Sequence, residues 1–300
     1  MTLPNFLVLG GAKCGTTSIH FYLLDHPDVF LCPKEIHYFY YDGGNPGGIR
    51  ATTLDAYEKL FRGATREKAI GEVAIRYLTK QRAVDNIKNT IPNAKMITSL
   101  RNPVDRAYSH FLMHCRGGTA RTKSGRLLNS HPRPEDVEEY FRRPETIYEV
   151  DCSLYYKHLS RYYEAFPREQ LHVCFLEEIM ENGNRVMKDI FEFLGVSSEF
   201  VPDTGVRYNV TASERPKRLL RSIRRWKPLS RVAVKLIPSW MLNAVHRRRK
   251  RMSGSSAGSS TDGQMPDGVR RDLAEFFEDD MRSLEGLIDK DLSRWYGSTG

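Results

Sequence analysis

Short apolar runs closed by glycine, proline or charged residues recur along the first two thirds of the chain. A compact apolar run of about four to eight residues between such boundaries is typical of a strand buried inside a sheet. We predict four such strands, within "NFLVLGG" (5–11), "AIGEVAIRYL" (69–78), "AKMITSLR" (94–101) and "QLHVCFLEEI" (170–179).

Amphipathic stretches with apolar residues at helical spacing separate and follow these strands. The alternation of strands with helices indicates a parallel sheet covered by helices on both faces. The predicted fold is therefore a single α/β domain over residues 1–300, with three layers like a P-loop protein and additional helical insertions. The helices are predicted within residues 16–27, 78–92, 103–116, 153–167, 184–196 and 269–296.

The composition shows neither a membrane span nor a disulfide framework. No uncharged apolar run reaches the length of about 18 residues that a transmembrane helix needs, and residues 1–12 lack the basic start of a signal peptide. The five cysteines are scattered, without a CxxC or Cys/His spacing. We expect reduced thiols and a cytoplasmic protein.

Positive charge is concentrated in one segment. The formal net charge is +9, and residues 215–251 contain 14 Lys or Arg and no Asp or Glu, so the rest of the chain is net acidic. Large apolar residues alternate with these cations. Three interpretations fit: contact with an anionic membrane surface, binding of an acidic glycan, or a solvated lid. The segment has no nucleic-acid recognition motif, and residues 252–268 have the Ser/Gly-rich composition of a flexible stretch.

The stretch "GGAKCGTTS" (10–18) joins the first predicted strand to the first predicted helix. The backbone N–H groups and the dipole at a helix start bind anions. Lys13 adds a positive charge there, and residues 16–18 add hydroxyl donors. The glycine spacing is that of a nucleotide-hydrolysing P-loop, but Thr16 stands where that loop has its lysine. The stretch predicts an anion site of a different kind.

A second candidate anion anchor lies in "SLRNPVDRAYSHF" (99–111). Arg101 follows a predicted strand, and Ser109 lies about two helical turns further on. Because ligands of such sheets bind beyond the carboxyl ends of the strands, Arg101 and Ser109 are placed to hold a second phosphate. A P-loop enzyme needs an acidic residue after such a strand to hold Mg²⁺, and Arg101 is a cation. The pattern predicts a site without a metal, in which Asp105 and Arg106 are structural.

Several motifs occur in the order found in sulfotransferases that use 3′-phosphoadenosine 5′-phosphosulfate (PAPS). The chain most resembles the branch that contains the heparan sulfate sulfotransferases and their bacterial relatives. The resemblance covers roughly residues 5–210. The motifs that carry it are "GGAKCGTTS", "PKEIHYF", "GEVAIRYL", "SLRNPVDRAYSHF" and "FPREQLHVCFLEEI…FLGV".

This resemblance implies what the two anion sites hold. The loop would bind the 5′-phosphosulfate of PAPS, and the second anchor would bind its 3′-phosphate. The sulfuryl group would pass in line to an acceptor while a lysine stabilises charge on the leaving phosphate oxygen, which needs no metal. The product would be adenosine 3′,5′-bisphosphate (PAP). The residues implied to contact the donor are Lys13, Cys14, Gly15, Thr16, Thr17, Ser18, Arg101 and Ser109.

The candidate bases lie in "CPKEIHYFYYD" (32–42). If the segment is extended, Glu35 and His37 share one face. In the heparan sulfate branch the glutamate similar to Glu35 is the proposed base, whereas a histidine does this work in the cytosolic small-molecule branch. We favour Glu35, with His37 orienting Glu35 or the acceptor; a buried structural histidine is the alternative. Lys34 either contacts donor or acceptor, or is solvated.

The stretch "GEVAIRYL" departs from the glycan enzymes of this branch, because Val73 stands where some of them carry a lysine. Arg76 would partly replace that cation. Glu72 is either a second active-site carboxylate or the ion-pair partner of an arginine. With Lys34, these two residues are the predicted acceptor contacts.

The predicted function is sulfuryl transfer from PAPS to a hydroxyl or amine of a carbohydrate, glycolipid or natural product. A lipid-linked acceptor would bring the enzyme to the inner face of a membrane through residues 215–251. Two alternatives come from other classes of protein. One is a P-loop small-molecule kinase, and the other is a non-catalytic protein that binds a membrane or a polyanion.

Overall fold

A computed structural model of the protein describes residues 2–40, 51, 53–122, 125–205 and 265–296. Within this part of the chain, five strands form one sheet in the order β2-β3-β1-β4-β5, and each neighbouring pair is parallel. The strands are β1 (Phe6–Gly10), β2 (Val29–Leu31), β3 (Ala69–Val73), β4 (Lys95–Leu100) and β5 (Leu171–Phe175).

Helices connect and follow the strands. The sheet is parallel because each connection between neighbouring strands crosses over rather than forming a hairpin. The helices are α1 (Thr16–Asp25), α2 (Leu54–Glu58), α3 (Gln81–Thr90), α4 (Pro103–Gly117), α5 (Pro134–Phe141), α6 (Tyr148–Asp151), α7 (Tyr155–Ala165), α8 (Leu176–Leu194), α9 (Asp267–Ile288) and α10 (Ser293–Tyr296).

The central strand β1 is buried along its whole length, and its side chains alternate between two cores. Leu7 and Leu9 belong to a core that contains residues of α3, α4, α7 and α9. Phe6 and Val8 belong to a second core with residues of α1 and α8. Apolar helix faces therefore cover both sides of the sheet, and the predicted three-layer α/β fold is confirmed.

The structure corrects one predicted strand. β5 ends at Phe175, and the residues predicted to continue it begin α8 instead. Glu178 accepts a hydrogen bond from Phe175 N (3.0 Å), and the helix dipole favours the two glutamates in the first turn. The apolar residues Leu176 and Ile179 resembled a continued strand, but this cap starts a helix. Strand β2 and helices α2, α5 and α6 were not predicted.

Some expectations concern residues outside the described ones. The basic segment 215–251 lies there, and so do residues 252–264 of the stretch predicted to be flexible. The prediction of one domain over the whole chain therefore stays a prediction. All five cysteines are free and buried, as expected for reduced thiols. None of the described helices is long and apolar enough to cross a membrane.

Candidate active site

A cavity of about 1000 Å³ lies beyond the carboxyl ends of the strands. Residues that follow each of the five strands line it, because parallel strands end at the same edge of the sheet. This volume is at the upper end of the range for ligand sites, about 300–1,000 Å³. The lining residues include one after each strand: Lys13 after β1, Glu35 after β2, Arg76 after β3, Arg101 after β4 and Leu176 after β5.

The glycine-rich loop forms one wall of the cavity and ends at the first turn of α1. Gly15 precedes the helix in the left-handed conformation (φ 78°), and a Cβ atom there would lie 2.8 Å from Leu176 Cδ1. Gly15 has no side chain to accept the first N–H groups of α1, and the first turn contains no acidic residue. The helix start keeps its positive potential facing the cavity, beside Lys13 and residues 16–18.

Cys14 is the exception within this loop, because its side chain points away from the cavity. It is fully buried, and its Sγ lies 3.8 Å from the hydroxyl of Tyr155. Burial raises the pKa of the Cys14 thiol. Ser99 donates a hydrogen bond to the Cys14 carbonyl (2.5 Å), which fixes the loop on β4. The Cys14 side chain therefore cannot contact a ligand in the cavity, and a contact predicted for Cys14 could involve only its main chain.

The second predicted anchor lines the same cavity. Arg101 directly follows β4, and Tyr155 donates a hydrogen bond to its carbonyl (2.9 Å). Asn102 caps α4 by accepting from the N–H groups of residues 104 (3.0 Å) and 105 (3.3 Å). This cap sets the direction of α4, so that Ser109 also reaches the cavity. The structure thus brings the two predicted anion anchors to one site.

Lys34 connects the glycine-rich loop to Glu35, the candidate base. Lys34 Nζ donates to Thr17 Oγ1 (2.9 Å) and lies 3.8 Å from Glu35 Oε1. The Glu35 side chain is 42% exposed and lines the cavity. A carboxylate here can reach a ligand and receive a proton from it, which is the geometric requirement for a general base.

His37 lies behind Glu35 and is not among the residues that line the cavity. The segment is not extended, because Glu35 (φ 67°) and His37 (φ 58°) both have left-handed backbone. The two side chains still meet, with His37 Nε2 4.0 Å from Glu35 Oε2. Burial, then the charges of Arg76 and Lys34, lower the pKa of His37 to about 4, so its ring is neutral at pH 7.

Glu72 has neither of its two predicted roles in this structure. It is fully buried, does not line the cavity, and has no arginine ion pair among the residues described. Its carboxylate accepts hydrogen bonds from Tyr57 (2.6 Å), Tyr77 (2.9 Å) and the N–H of His37 (2.9 Å). Burial raises the pKa of Glu72. Its contacts fix the backbone segment that carries Glu35.

Arg76, the third predicted acceptor contact, does line the cavity. Its guanidinium lies 5.8 Å from the centre of the Tyr40 ring, within the range of a cation–π contact. Arg106, predicted to be structural, is buried but is also among the residues that line the cavity. It donates to Ser153 Oγ (2.6 Å) and to the carbonyls of Ala12 (3.4 Å) and Glu149. Arg106 thereby ties the glycine-rich loop to α6.

Sequence reasoning missed the part of the cavity formed by α4 and α6. Of the missed residues only His110 lies within a motif, "SLRNPVDRAYSHF", and helix α6 was not predicted. The only available signal was the spacing of Ser109 and Met113 and of His110 and His114, which places each pair on one face of α4. The missed residues on this side are His110, Met113, His114, Tyr148 and Cys152.

The chain belongs to the sulfotransferase family, because it matches the sulfotransferase domain over residues 3–221. A crystal structure of a sulfotransferase from Alicyclobacillus acidocaldarius is similar over 98% of this chain and 99% of its own, with 28% identity and a TM-score of 0.66. The predicted family and its P-loop-like fold are thus confirmed.

Curated relatives show similarity over about two thirds of the chain. The membrane-associated sulfotransferase kil1 of Dictyostelium discoideum is 26% identical over 70% of this chain, and the chain spans 60% of that protein. The mouse bifunctional heparan sulfate N-deacetylase/N-sulfotransferase 4 is 27% identical over 66% of this chain. There the match spans only 23% of the relative, so most of that enzyme has no counterpart in the aligned region.

Proposed function

We propose that this protein transfers a sulfuryl group from PAPS to a hydroxyl or amine of an acceptor, with Glu35 as the base. One observation carries the proposal. The glycine-rich loop with Lys13, the anchor of Arg101 and Ser109, and the accessible carboxylate of Glu35 all line one cavity. Membership of the sulfotransferase family supports this chemistry.

The residues present fit a donor with two separate anionic groups. The helix start, Lys13 and the hydroxyls of residues 16–18 would hold the 5′-phosphosulfate. Arg101 and Ser109 would hold the 3′-phosphate, since a guanidinium and a hydroxyl both donate to phosphate oxygens. PAPS supplies a sulfuryl group already activated by its bond to phosphate. The absence of a metal requirement stays a prediction.

The protein's side chains would stabilise charge and move one proton. Lys13 stabilises the negative charge that develops on the leaving phosphate oxygen. A carboxylate oxygen of Glu35 takes the proton from the acceptor's hydroxyl or amine as the new bond to sulfur forms. His37, neutral and 4.0 Å from Glu35, orients that carboxylate. Lys34 keeps Glu35 beside the donor loop through Thr17.

The class of acceptor is also part of the proposal. Several relatives are named for heparan sulfate, which supports a carbohydrate among the candidates. The relative from Dictyostelium is named membrane-associated, which supports a lipid-linked acceptor and contact with a membrane through residues 215–251. A cytoplasmic location stays a prediction. A kinase is disfavoured because Arg101 occupies the position of a magnesium-binding acid.

The test replaces Glu35 by Gln and measures two quantities, the affinity for PAP and the transfer of label from [³⁵S]PAPS to an acceptor that the wild type sulfates. We expect transfer to fall by about 10²–10⁴-fold, the usual contribution of a general base, with PAP affinity unchanged. Glu181→Gln is the matched control, since Glu181 also lines the cavity and its side chain is 68% exposed.

Wild-type transfer rates in Glu35→Gln would show that Glu35 is not the base and would leave His37 as the candidate. No labelled product from any hydroxyl or amine acceptor, despite tight PAP binding, would contradict the transferase itself.

A further inference from the structure

One wall of the cavity is used neither by the donor anchors nor by the candidate base. We call it the α4–α6 wall, and it consists of His110, Met113, His114, Tyr148 and Cys152. It continues the face of α4 that begins at Ser109. His114 lies five residues beyond Ser109, a rise of about 7.5 Å along the helix axis.

The His114 ring is fixed on one side and accessible to a ligand on the other. Its Nδ1 atom pairs with the Glu149 carboxylate, which is 2% exposed. The other oxygen of that carboxylate accepts a hydrogen bond from Tyr140 (3.0 Å). The His114 ring is 31% exposed, and its Nε2 atom has no hydrogen-bond partner in the described part of the chain. A buried carboxylate thus fixes the ring, while one nitrogen remains available to the cavity.

The same wall exposes large apolar side chains. Tyr148 is 50% exposed and Met113 is 38% exposed. Of the seven most exposed large apolar side chains in the described chain, three line this cavity, and two of those three are on this wall. Exposed apolar surface inside a concave site is typical of ligand contact, since a ring can cover it there.

The α4–α6 wall lies next to the site proposed for transfer. Burial, followed by charges that include those of Arg106, Lys13 and Arg76, lowers the pKa of His110 to about 3. This histidine is therefore within electrostatic reach of Lys13. Burial raises the pKa of Tyr148 above its usual range, and the charge of Arg76 opposes this increase. None of the five residues of the α4–α6 wall is a lysine or an arginine. A wall without cations favours an uncharged acceptor over a polyanion, whose binding needs several.

We propose that the α4–α6 wall is the acceptor subsite. It accepts an uncharged six-membered ring, of a sugar or a phenol, that packs on Tyr148 and Met113. His114 Nε2 makes a hydrogen bond with a hydroxyl group of that ring. The inference rests on the proposed function, and it distinguishes this protein from enzymes that act on polyanionic glycans.

The experiment measures binding of three probes to protein saturated with PAP. The probes are 2-naphthol, octyl β-D-glucopyranoside below its micelle concentration, and a heparosan tetrasaccharide as the polyanion. The variants are His114→Ala, His114→Gln and Tyr148→Ala, each checked for unchanged PAP affinity. Met180→Ala is the control, because Met180 lines the cavity on α8 and is 53% exposed.

We expect at least one neutral probe to bind more tightly than the tetrasaccharide. His114→Ala and Tyr148→Ala should each weaken it about tenfold, the effect of losing one hydrogen bond or one ring contact. His114→Gln, whose amide can reach the position of Nε2, should recover part of the loss, and Met180→Ala should have no effect. Whether naphthol or the glucoside binds tighter decides between a phenol and a sugar.

Tighter binding of the tetrasaccharide, no binding of either neutral probe, or equal affinities in wild type and both alanine variants would overturn the subsite. So would a loss of PAP affinity in these variants, because the wall would then belong to the donor site. Failure of the wild type to bind PAP would instead contradict the proposed function on which the subsite rests.

Discussion

The two walls of the cavity are built in different ways. The first wall, which we propose binds the donor and call the donor wall, comes mainly from one continuous loop, residues 11–18. It presents a lysine, hydroxyls and a helix start. The α4–α6 wall comes from two helices that are distant in sequence, since α4 ends at Gly117 and α6 begins at Tyr148. It presents exposed apolar side chains and a histidine fixed by Glu149. An anion site needs local backbone geometry, which a short motif encodes. A subsite for a neutral ring needs apolar surface, which forms only when helices distant in sequence pack together.

The largest expected difference concerns two arginines that line the cavity, Arg101 at the second anion anchor and Arg76 after strand β3. Arg101→Ala should weaken PAP binding about a hundredfold, because it removes charge-assisted hydrogen bonds to a phosphate. Arg76→Ala is the matched change after the neighbouring strand β3, and it should leave PAP affinity unaltered. Calorimetric titration of both variants with PAP makes the comparison. Equal losses of PAP affinity in both variants would show that Arg76 and Arg101 belong to one anion site.

A smaller effect is expected for the scaffold beneath Glu35. Glu72→Gln should lower the free energy of unfolding by about 2 kcal/mol, because a buried acceptor of three hydrogen bonds is replaced by an amide that matches those donors poorly. Tyr57→Phe, which removes one of the donors, should cost less. Urea unfolding measures both values.

Glu72→Gln should also leave PAP affinity unchanged, because Glu72 does not line the cavity. A variant as stable as the wild type would show that the Glu72 contacts do not hold this segment in place.

The smallest expected effect concerns a histidine outside both walls. Burial, then the charge of Lys290, lower the pKa of His172 on β5 to about 4. An unfolded histidine titrates near 6.5, so between these values the unfolded chain binds a proton that the folded protein does not. The contribution of His172 to stability is present above pH 6.5 and is lost as the pH falls through this window.

His172→Gln should therefore reduce the loss of stability between pH 7 and pH 5.5 by about 1 kcal/mol, measured by urea unfolding at both values. His131→Gln, in the exposed loop before α5, is the control and should not change the loss. An unchanged pH dependence in His172→Gln would contradict a lowered pKa for this histidine.

The sequence predicted those parts of the molecule that depend on neighbouring residues. Apolar runs placed four of the five strands, and the glycine spacing with Lys13 placed the donor loop. Arg101 and Ser109 could be predicted to form one anchor because Arg101 lies just before helix α4 and Ser109 lies about two turns into it. Glu35 followed from a resemblance, and the structure places it on the same cavity.

The remaining features depend on contacts between distant segments. Nothing near Glu72 in the sequence shows that Tyr57 and Tyr77 donate to it, so its burial was not foreseen. The end of β5 was misjudged because Leu176 and Ile179 suit a strand as well as an amphipathic helix. The pairing of His114 with Glu149 requires α6 to pack on α4, and α6 has only four residues.

The most direct test of the donor site is calorimetric titration with PAP in the presence of EDTA, compared with ATP and Mg²⁺, for the wild type, Lys13→Ala and Lys59→Ala. Lys59 serves as the control because its side chain is 50% exposed and pairs with Asp55, outside the cavity. We predict metal-free binding of PAP that is tighter than that of ATP, at least about tenfold weaker in Lys13→Ala, and unchanged in Lys59→Ala. Preference for ATP with Mg²⁺, or the absence of nucleotide binding, would contradict the account.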